Sequence, residues 1–239
     1  MVIIMTPTKK PMVKLSLVLC AMLFISSFAK AGALDPLEEH EIEKAKQIQL
    51  SYVQNNNPEL ISDASSSASR GTQAQFIPEI EILLVERHAV KKGKERSAQR
   101  LADVYSYDYR VNVLNQVVVN LDRNSVVSVN RNSQIQLPLT DNEIQKATDI
   151  LLADQVNYQL ILKEFKKITG EEFTNPSQIE IKAFAFWGNS LPGVATAEAL
   201  KCGNHRCAQL LLYTPDRVAF EVSPVVDLSL KKVVQNITF

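Results

Sequence analysis

A ten-residue stretch occurs twice in this chain, and that duplication constrains the fold more than any other feature. Residues 118–127 read VVNLDRNSVV and residues 225–234 read VVDLSLKKVV, with valine pairs at both ends, Asn or Asp third and Leu fourth. In each, an apolar strand runs into a polar turn and a second apolar strand begins, the pattern of a β-hairpin. A spacing of about a hundred residues exceeds a solenoid repeat and matches the size of a whole small domain.

The start of each copy repeats as well. PLEEHEIEKAKQIQL (36–50) and PLTDNEIQKATDILL (138–152) agree at Pro-Leu, Glu-Ile, Lys-Ala and a later Ile and Leu. In the first copy Asp35 is the expected helix cap, Pro36 the first helical residue and Glu38 the closing residue of a capping box. Ile42, Ala45, Ile48 and Tyr52 then supply an apolar face at helical spacing, and Asn55-Asn56-Asn57-Pro58 ends the helix. Residues 62–75, rich in Ser and Ala, read as a loop. Ile80, Ile82 and Leu84 alternate as a strand, followed by a basic link (87–100) expected to be the solvated tip of a long hairpin. A second strand (102–113) carries Tyr105, Tyr107 and Tyr109 on one face, and the hairpin 117–129 completes the unit.

In the second copy Thr140 and Glu143 form the capping box. Residues 158–168, with Leu160, Ile161, Phe165 and Ile168 apolar, make a further amphipathic helix closed by Gly170. Ile179-Glu180-Ile181 answers Ile80-Glu81-Ile82, and Arg206, Ala208 and Tyr213 answer Arg100, Ala102 and Tyr107. The predicted class is α+β: a tandem duplication of one helix packed on a four-stranded antiparallel sheet, with domains at 32–133 and 134–239.

Residues 1–31 have the three parts of a signal peptide. Lys9, Lys10 and Lys14 are its positive end, residues 15–24 its apolar stretch, and Ala29-Lys30-Ala31 its cleavage site. The apolar run is shorter than the ~20 residues of a membrane span, and bulky Leu19 before Cys20 argues against a lipoprotein. A periplasmic or extracellular protein, with no transmembrane span in the mature chain, is the expectation. Removing the four leader lysines from 26 basic residues leaves 22 against 26 acidic ones. That acidic balance speaks against a nucleic-acid partner.

Cys202-Gly203-Asn204-His205-Arg206-Cys207 is the densest local cluster. After cleavage Cys202 and Cys207 are the only cysteines, in a compartment that favours disulfides, and Gly203-Asn204 is turn chemistry. A disulfide closing a hairpin tip is the reading, with positive φ at Gly203 and Asn204. The alternative is a site for Cu(I) or Zn²⁺ using both thiolates and His205, which lacks a fourth ligand in sequence. Asp122 and Asp227 fall at hairpin turns and are expected to serve the turns. Trp187-Gly188-Asn189-Ser190 reads as an aromatic loop, able to anchor a partner or to pack in the core. No nucleotide or phosphate fingerprint and no Gly-x-Ser-x-Gly occurs.

Leu34-Asp35-Pro36-Leu37 before Glu41-Ile42, the Arg-x-Ala strands, the Val-Val-Asn/Asp-Leu hairpins and the restart at Pro138 resemble copper amine oxidases, and more narrowly the two small amino-terminal domains that precede that family's catalytic domain. The resemblance covers residues 34–235 and implies cystatin-like units. In that family the chemistry belongs to a large carboxy-terminal domain, with a topaquinone made from tyrosine and a copper held by three histidines. The expectation is that this domain is missing after Phe239. Only His40, His88 and His205 occur, with no His-x-His pair. Ser106-Tyr107-Asp108-Tyr109 echoes the cofactor-forming motif with Ser in place of Asn, inside an expected strand. The resemblance therefore implies an exported non-catalytic binding or accessory module, not an enzyme, with no catalytic residues, no cofactor and no metal. Its partner is expected to be a protein, an amine-oxidase-type enzyme or a second copy of the chain. The alternatives are a divergent amine oxidase relative with copper- or quinone-linked chemistry, and a small metal-binding protein using the Cys202–Cys207 loop.

Overall fold

The computed structural model describes residues 32–56, 79–90, 93, 99–132, 135–190 and 193–238. The expected leader, the Ser/Ala-rich loop and half of the basic link lie outside the described residues. Two four-stranded antiparallel sheets follow one another in the chain, each with its strands in sequence order. The first comprises β1 (Ile80–Arg87), β2 (Leu101–Asp108), β3 (Val113–Asn120) and β4 (Ser125–Asn132), preceded by α1 (Glu39–Asn56). The second comprises β5 (Glu180–Ala185), β6 (Cys207–Tyr213), β7 (Val222–Asp227) and β8 (Lys232–Thr238), preceded by α2 (Asp141–Ala153) and α3 (Gln155–Thr169). The fold is α+β, a cystatin-like unit in tandem. No described helix is long and apolar enough to cross a membrane.

The duplicated decapeptides occupy equivalent places. Val118 lies in β3 and Val225 in β7, the third strand of each sheet. Pairing with the last strand slips by one residue between Val118 and Val119, and again between Val225 and Val226. Val127 and Val234 are the extra residues, so the closing valine pair of each motif encodes a β-bulge that bends the edge strand. The turns match too. Asn124 and Lys231 both take the left-handed conformation, at φ 53° and 54°. Asn120 accepts the backbone N–H groups of Asp122 and Arg123 at its turn, and Asp227 accepts that of Leu230 at the other.

Each helix covers one face of its sheet. Ala147 and Leu151 of α2 meet Ala208, Leu210 and Leu212 of β6, with Ile161 and Phe165 of α3 and Phe173 extending the core. In the first copy Ala45 of α1 meets Ala102, Val104, Val117 and Val119. There Gln49 is buried and donates to the Ser106 hydroxyl. Tyr52, expected on the apolar face, is 37% exposed, because the buried stripe runs through Glu41, Ala45 and Gln49 instead.

Other local expectations are corrected. A bulge at Leu83 shifts the register of β1 between Ile82 and Leu84. Leu84 therefore turns outward and Val85 packs against the core. Helix α1 begins at Glu39, three residues beyond the expected start. Asp35 does not cap it; its carboxylate accepts the Gly32 N–H, and the first turn is closed by Glu41, which accepts the Glu38 N–H. In the second copy the capping box of Thr140 and Glu143 is present. Asp154 caps α3, which starts at Gln155 and ends at Gly170 with φ 76°. Among the described residues the second copy thus carries two helices and the first one.

Candidate functional site

The most concentrated chemistry lies where each second strand meets its helix start, and where the two copies meet. Both places use one device. The glutamate at the third position of the helix accepts the N–H of the capping residue and a guanidinium from just before the second strand. In the first copy Arg100 Nε and Nη2 hold the Glu41 carboxylate at 2.8 and 2.5 Å. Its remaining N–H groups donate to the carbonyls of Gly32, Asp35 and Pro36. In the second copy Arg206 holds Glu143 at 2.7 and 2.8 Å and donates to the Leu137 and Pro138 carbonyls and to the Gln136 amide. A guanidinium has five N–H donors in a fixed fork and a carboxylate two acceptors. The segment leading into each helix supplies acceptors for the donors that the carboxylate leaves over.

Arg206 and Glu143 are both fully buried. Burial works against the Arg206 charge; the hydrogen bonds and charge of Glu143 outweigh it and raise the pKa, so the guanidinium stays charged. The Arg100 hydrogen bond holds the Glu41 carboxyl well below the usual range, at about 2. Arg100 belongs to the expected solvated basic link, yet it is buried. Sequence reasoning aligned all four residues without seeing their role. The usable signal was a charge of each sign kept at repeat-equivalent positions beside apolar runs.

The tyrosines of the first copy reach across to the second. Tyr109, just beyond β2, donates to Glu143 Oε1 at 2.6 Å. Tyr107 donates to the Asn204 carbonyl at 3.1 Å, and the two rings meet edge to face at 4.9 Å. Burial pushes the Tyr107 phenol up to about 12, and pushes that of Tyr109 far higher with the help of the Glu143 charge. Tyr105, on the same strand, bonds Glu86 instead. Glu81 of β1 accepts three bonds from the start of α2: Thr140 Oγ1, Asn142 Nδ2 and Lys146 Nζ. Beside this contact a cleft of about 420 Å³ opens, lined among others by Tyr109, Arg110, Lys146, Ile150, Leu228 and Lys231.

Cys202 and Cys207 form a disulfide. It does not close a hairpin tip: β5 and β6 are joined by a long excursion with short 3-10 turns at Gly188–Ser190 and Ala199–Lys201. Gly203 alone takes positive φ, at 113°, and Asn204 does not. Trp187 packs over Gly203, where a Cβ would come within 2.8 Å of its ring. Trp187 is half-buried and lines a shallow groove with Leu200 and Asn189.

The three histidines are not brought together. His40 faces Glu38 at an exposed site, His88 faces Asp103, and His205 Nδ1 lies 2.7 Å from Asp227 Oδ2. Asp227 thus serves its turn and also holds His205, while Asp122 receives the Arg100 backbone N–H. Among the described residues no group of three or more His, Cys, Asp or Glu is placed to hold a metal ion. Sulfurs bonded to one another offer no thiolate pair, so the set Cys202, His205 and Cys207 does not fit a soft metal in this state. Tyr107 sits in the junction between the copies rather than in an open site.

No protein-family model matches this sequence, and no curated protein matches it. The fold is similar to that of a copper-containing benzylamine oxidase from Hansenula polymorpha, with a TM-score of 0.51 and 16% sequence identity. The match covers 87% of this chain and 30% of that one, so the chain spans under a third of that protein's length.

Proposed function

We propose that this chain is an exported, non-catalytic binding or accessory module built like the two amino-terminal domains of copper amine oxidases, with residues 1–31 as its signal peptide and 32–133 and 134–239 as its domains. The observation that carries the reading is the use to which the junction puts its polar groups. Glu143, Tyr109, Tyr107 and Glu81 are each engaged in joining the copies, and Arg206 holds Glu143 in place for it, which is how a scaffold uses charge. An active site instead aims such groups at a cavity. The fold shared with part of a copper-containing oxidase supports the same reading. The disulfide supports export, since such bonds persist in oxidising compartments. The partner is a protein, either an amine-oxidase-type enzyme or a second copy.

Two measurements on one preparation test this. The chain expressed with its leader should be recovered outside the bacterial cytoplasm, starting at Gly32 by mass spectrometry. After incubation with copper and oxygen it should give no hydrogen peroxide from primary amines. Amine-dependent peroxide that disappears in Tyr107→Phe would replace the module by a divergent oxidase.

A further inference from the structure

We infer that the Cys202–Cys207 disulfide is the clamp of the junction between the two copies: it holds the four residues it encloses in the conformation that docks the second copy on the first. Each enclosed residue makes a bond outside the ring. The Gly203 carbonyl accepts Gln136 Nε2 at 3.0 Å, and the Asn204 carbonyl accepts the Tyr107 hydroxyl at 3.1 Å. His205 is held by Asp227. Arg206 holds Glu143, whose Oε1 also takes the Tyr109 hydroxyl. One of these links leads directly into the first copy, a second reaches it through Glu143, and a third leads to the segment that joins the copies.

The ring is well placed to fix them. Cys207 opens β6 and packs with Phe186, Val225 and Val234, so one end of the ring is anchored in the sheet. Cys202 is tied to it with a Cα separation of 5.5 Å. Between them Gly203 is free of a side chain and lies under Trp187. Without the bond, the glycine would be the softest point of the chain at the place where two interface carbonyls are aimed. The first copy has Arg96, Ser97, Ala98 and Gln99 before its arginine, and no cysteine. The disulfide belongs to the copy whose loop is also a docking element.

Reduction by a dithiol states the chemistry. One dithiol sulfur attacks a protein sulfur, the S–S bond breaks, and a mixed disulfide forms. The second dithiol sulfur displaces the remaining protein sulfur. The dithiol ends as its cyclic disulfide, having given up two electrons and two protons, and Cys202 and Cys207 each gain a thiol proton. Both cysteines are buried, so this attack waits on local opening and the bond behaves as a durable clamp.

The test is hydrogen exchange by mass spectrometry on the full chain, comparing wild type with Cys202→Ser/Cys207→Ser. Segments 105–112 and 135–146, remote from the cysteines in sequence, should exchange roughly three- to tenfold faster in the variant, the range of one or two lost hydrogen bonds. Segment 114–120 should be unchanged. Faster exchange confined to 201–208 would overturn the inference and leave a loop staple. Should the double variant fail to fold, Tyr107→Phe with the bond intact replaces it. That change should speed exchange at 203–206, while Tyr105→Phe, whose hydroxyl serves Glu86, should not. Unaltered exchange in Tyr107→Phe, or an equal change in Tyr105→Phe, would also overturn it.

Discussion

The two copies keep the same charged device and fill their cores differently. Arg100–Glu41 and Arg206–Glu143 match atom for atom, and even the backbone bonds beside them match, Leu121 N–H to Arg100 O and Leu228 N–H to Arg206 O. The apolar filling has diverged. Where the second core has Leu151 against Leu212, the first has Gln49 bonded to Ser106. A third helix and Phe173 thicken the second core, and among the described residues they have no counterpart in the first. The contrast has a physical reason. A buried guanidinium with all its donors engaged cannot change alone without stranding its partners, whereas apolar volume can be redistributed at small cost.

The sharpest way to break the comparison is to remove the guanidiniums. Arg206→Met leaves Glu143 buried, unpaired and still bonded by Tyr109, and should cost about 3–5 kcal/mol. Arg100→Met should cost less, about 2 kcal/mol, because Glu41 lies nearer to water and can be partly hydrated. Urea denaturation of each variant checks the order. Equal losses would mean that the second pair gains nothing from its deeper burial.

Core truncation comes next. Leu151 is fully buried, so Leu151→Ala should cost about 2–5 kcal/mol through lost transfer energy and a residual cavity. Gln49→Ala at the matching position should cost less, because it removes a side chain whose Oε1 already lacks a partner. If Gln49→Ala proves the more harmful, the polar pair supports its core better than the leucines support theirs.

Acid should act on the first copy through Glu41. Its carboxyl has a folded pKa of about 2 against an ordinary 4.5. A depressed carboxylate pKa contributes stability that is complete above the unfolded value and lost as pH falls toward the folded one. The urea midpoint of the wild type should therefore decline between about pH 4.5 and 2 by more than that of Glu41→Gln. Parallel profiles would show that the pair does not govern this window.

The repeat, the strand order, the paired-valine hairpins, the Thr140 capping box and the helix end at Gly170 were legible because each rests on local pattern: paired valines, turn residues, Thr140 with Glu143, and a glycine past the last apolar position. What failed was decided by tertiary partners. Leu84 alternates correctly in sequence but is turned outward by the bulge at Leu83, which no propensity marks. Arg100 reads as one more charge in a basic run, and only Glu41 with the carbonyls of Gly32, Asp35 and Pro36 makes its burial tolerable. Tyr107 and Tyr109 read as a strand face, since nothing local says that a second copy covers them. The Cys202–Cys207 pairing followed from there being two cysteines; its place at the junction did not.

The smallest expected effect sharpens the comparison most, because it moves one core toward the other. Gln49→Leu with Ser106→Ala removes both partners of a buried hydrogen bond and puts a leucine where the second copy has Leu151. Replacing both members of such a pair by apolar groups of similar size ranges from neutral to stabilising, here a gain of about 0–1 kcal/mol. Two terms favour a gain: Gln49 Oε1 no longer sits buried without a partner, and the leucine adds apolar contact beside Ala45 and Val104. Ser106→Ala alone should cost about 1–3 kcal/mol, since the Gln49 amide then loses its acceptor in the core. The two substitutions should therefore be non-additive by about 1 kcal/mol or more in a double-mutant cycle. A double variant less stable than Ser106→Ala alone would show that the first core has no room for a leucine, and that its polar pair answers to shape rather than to drift after duplication.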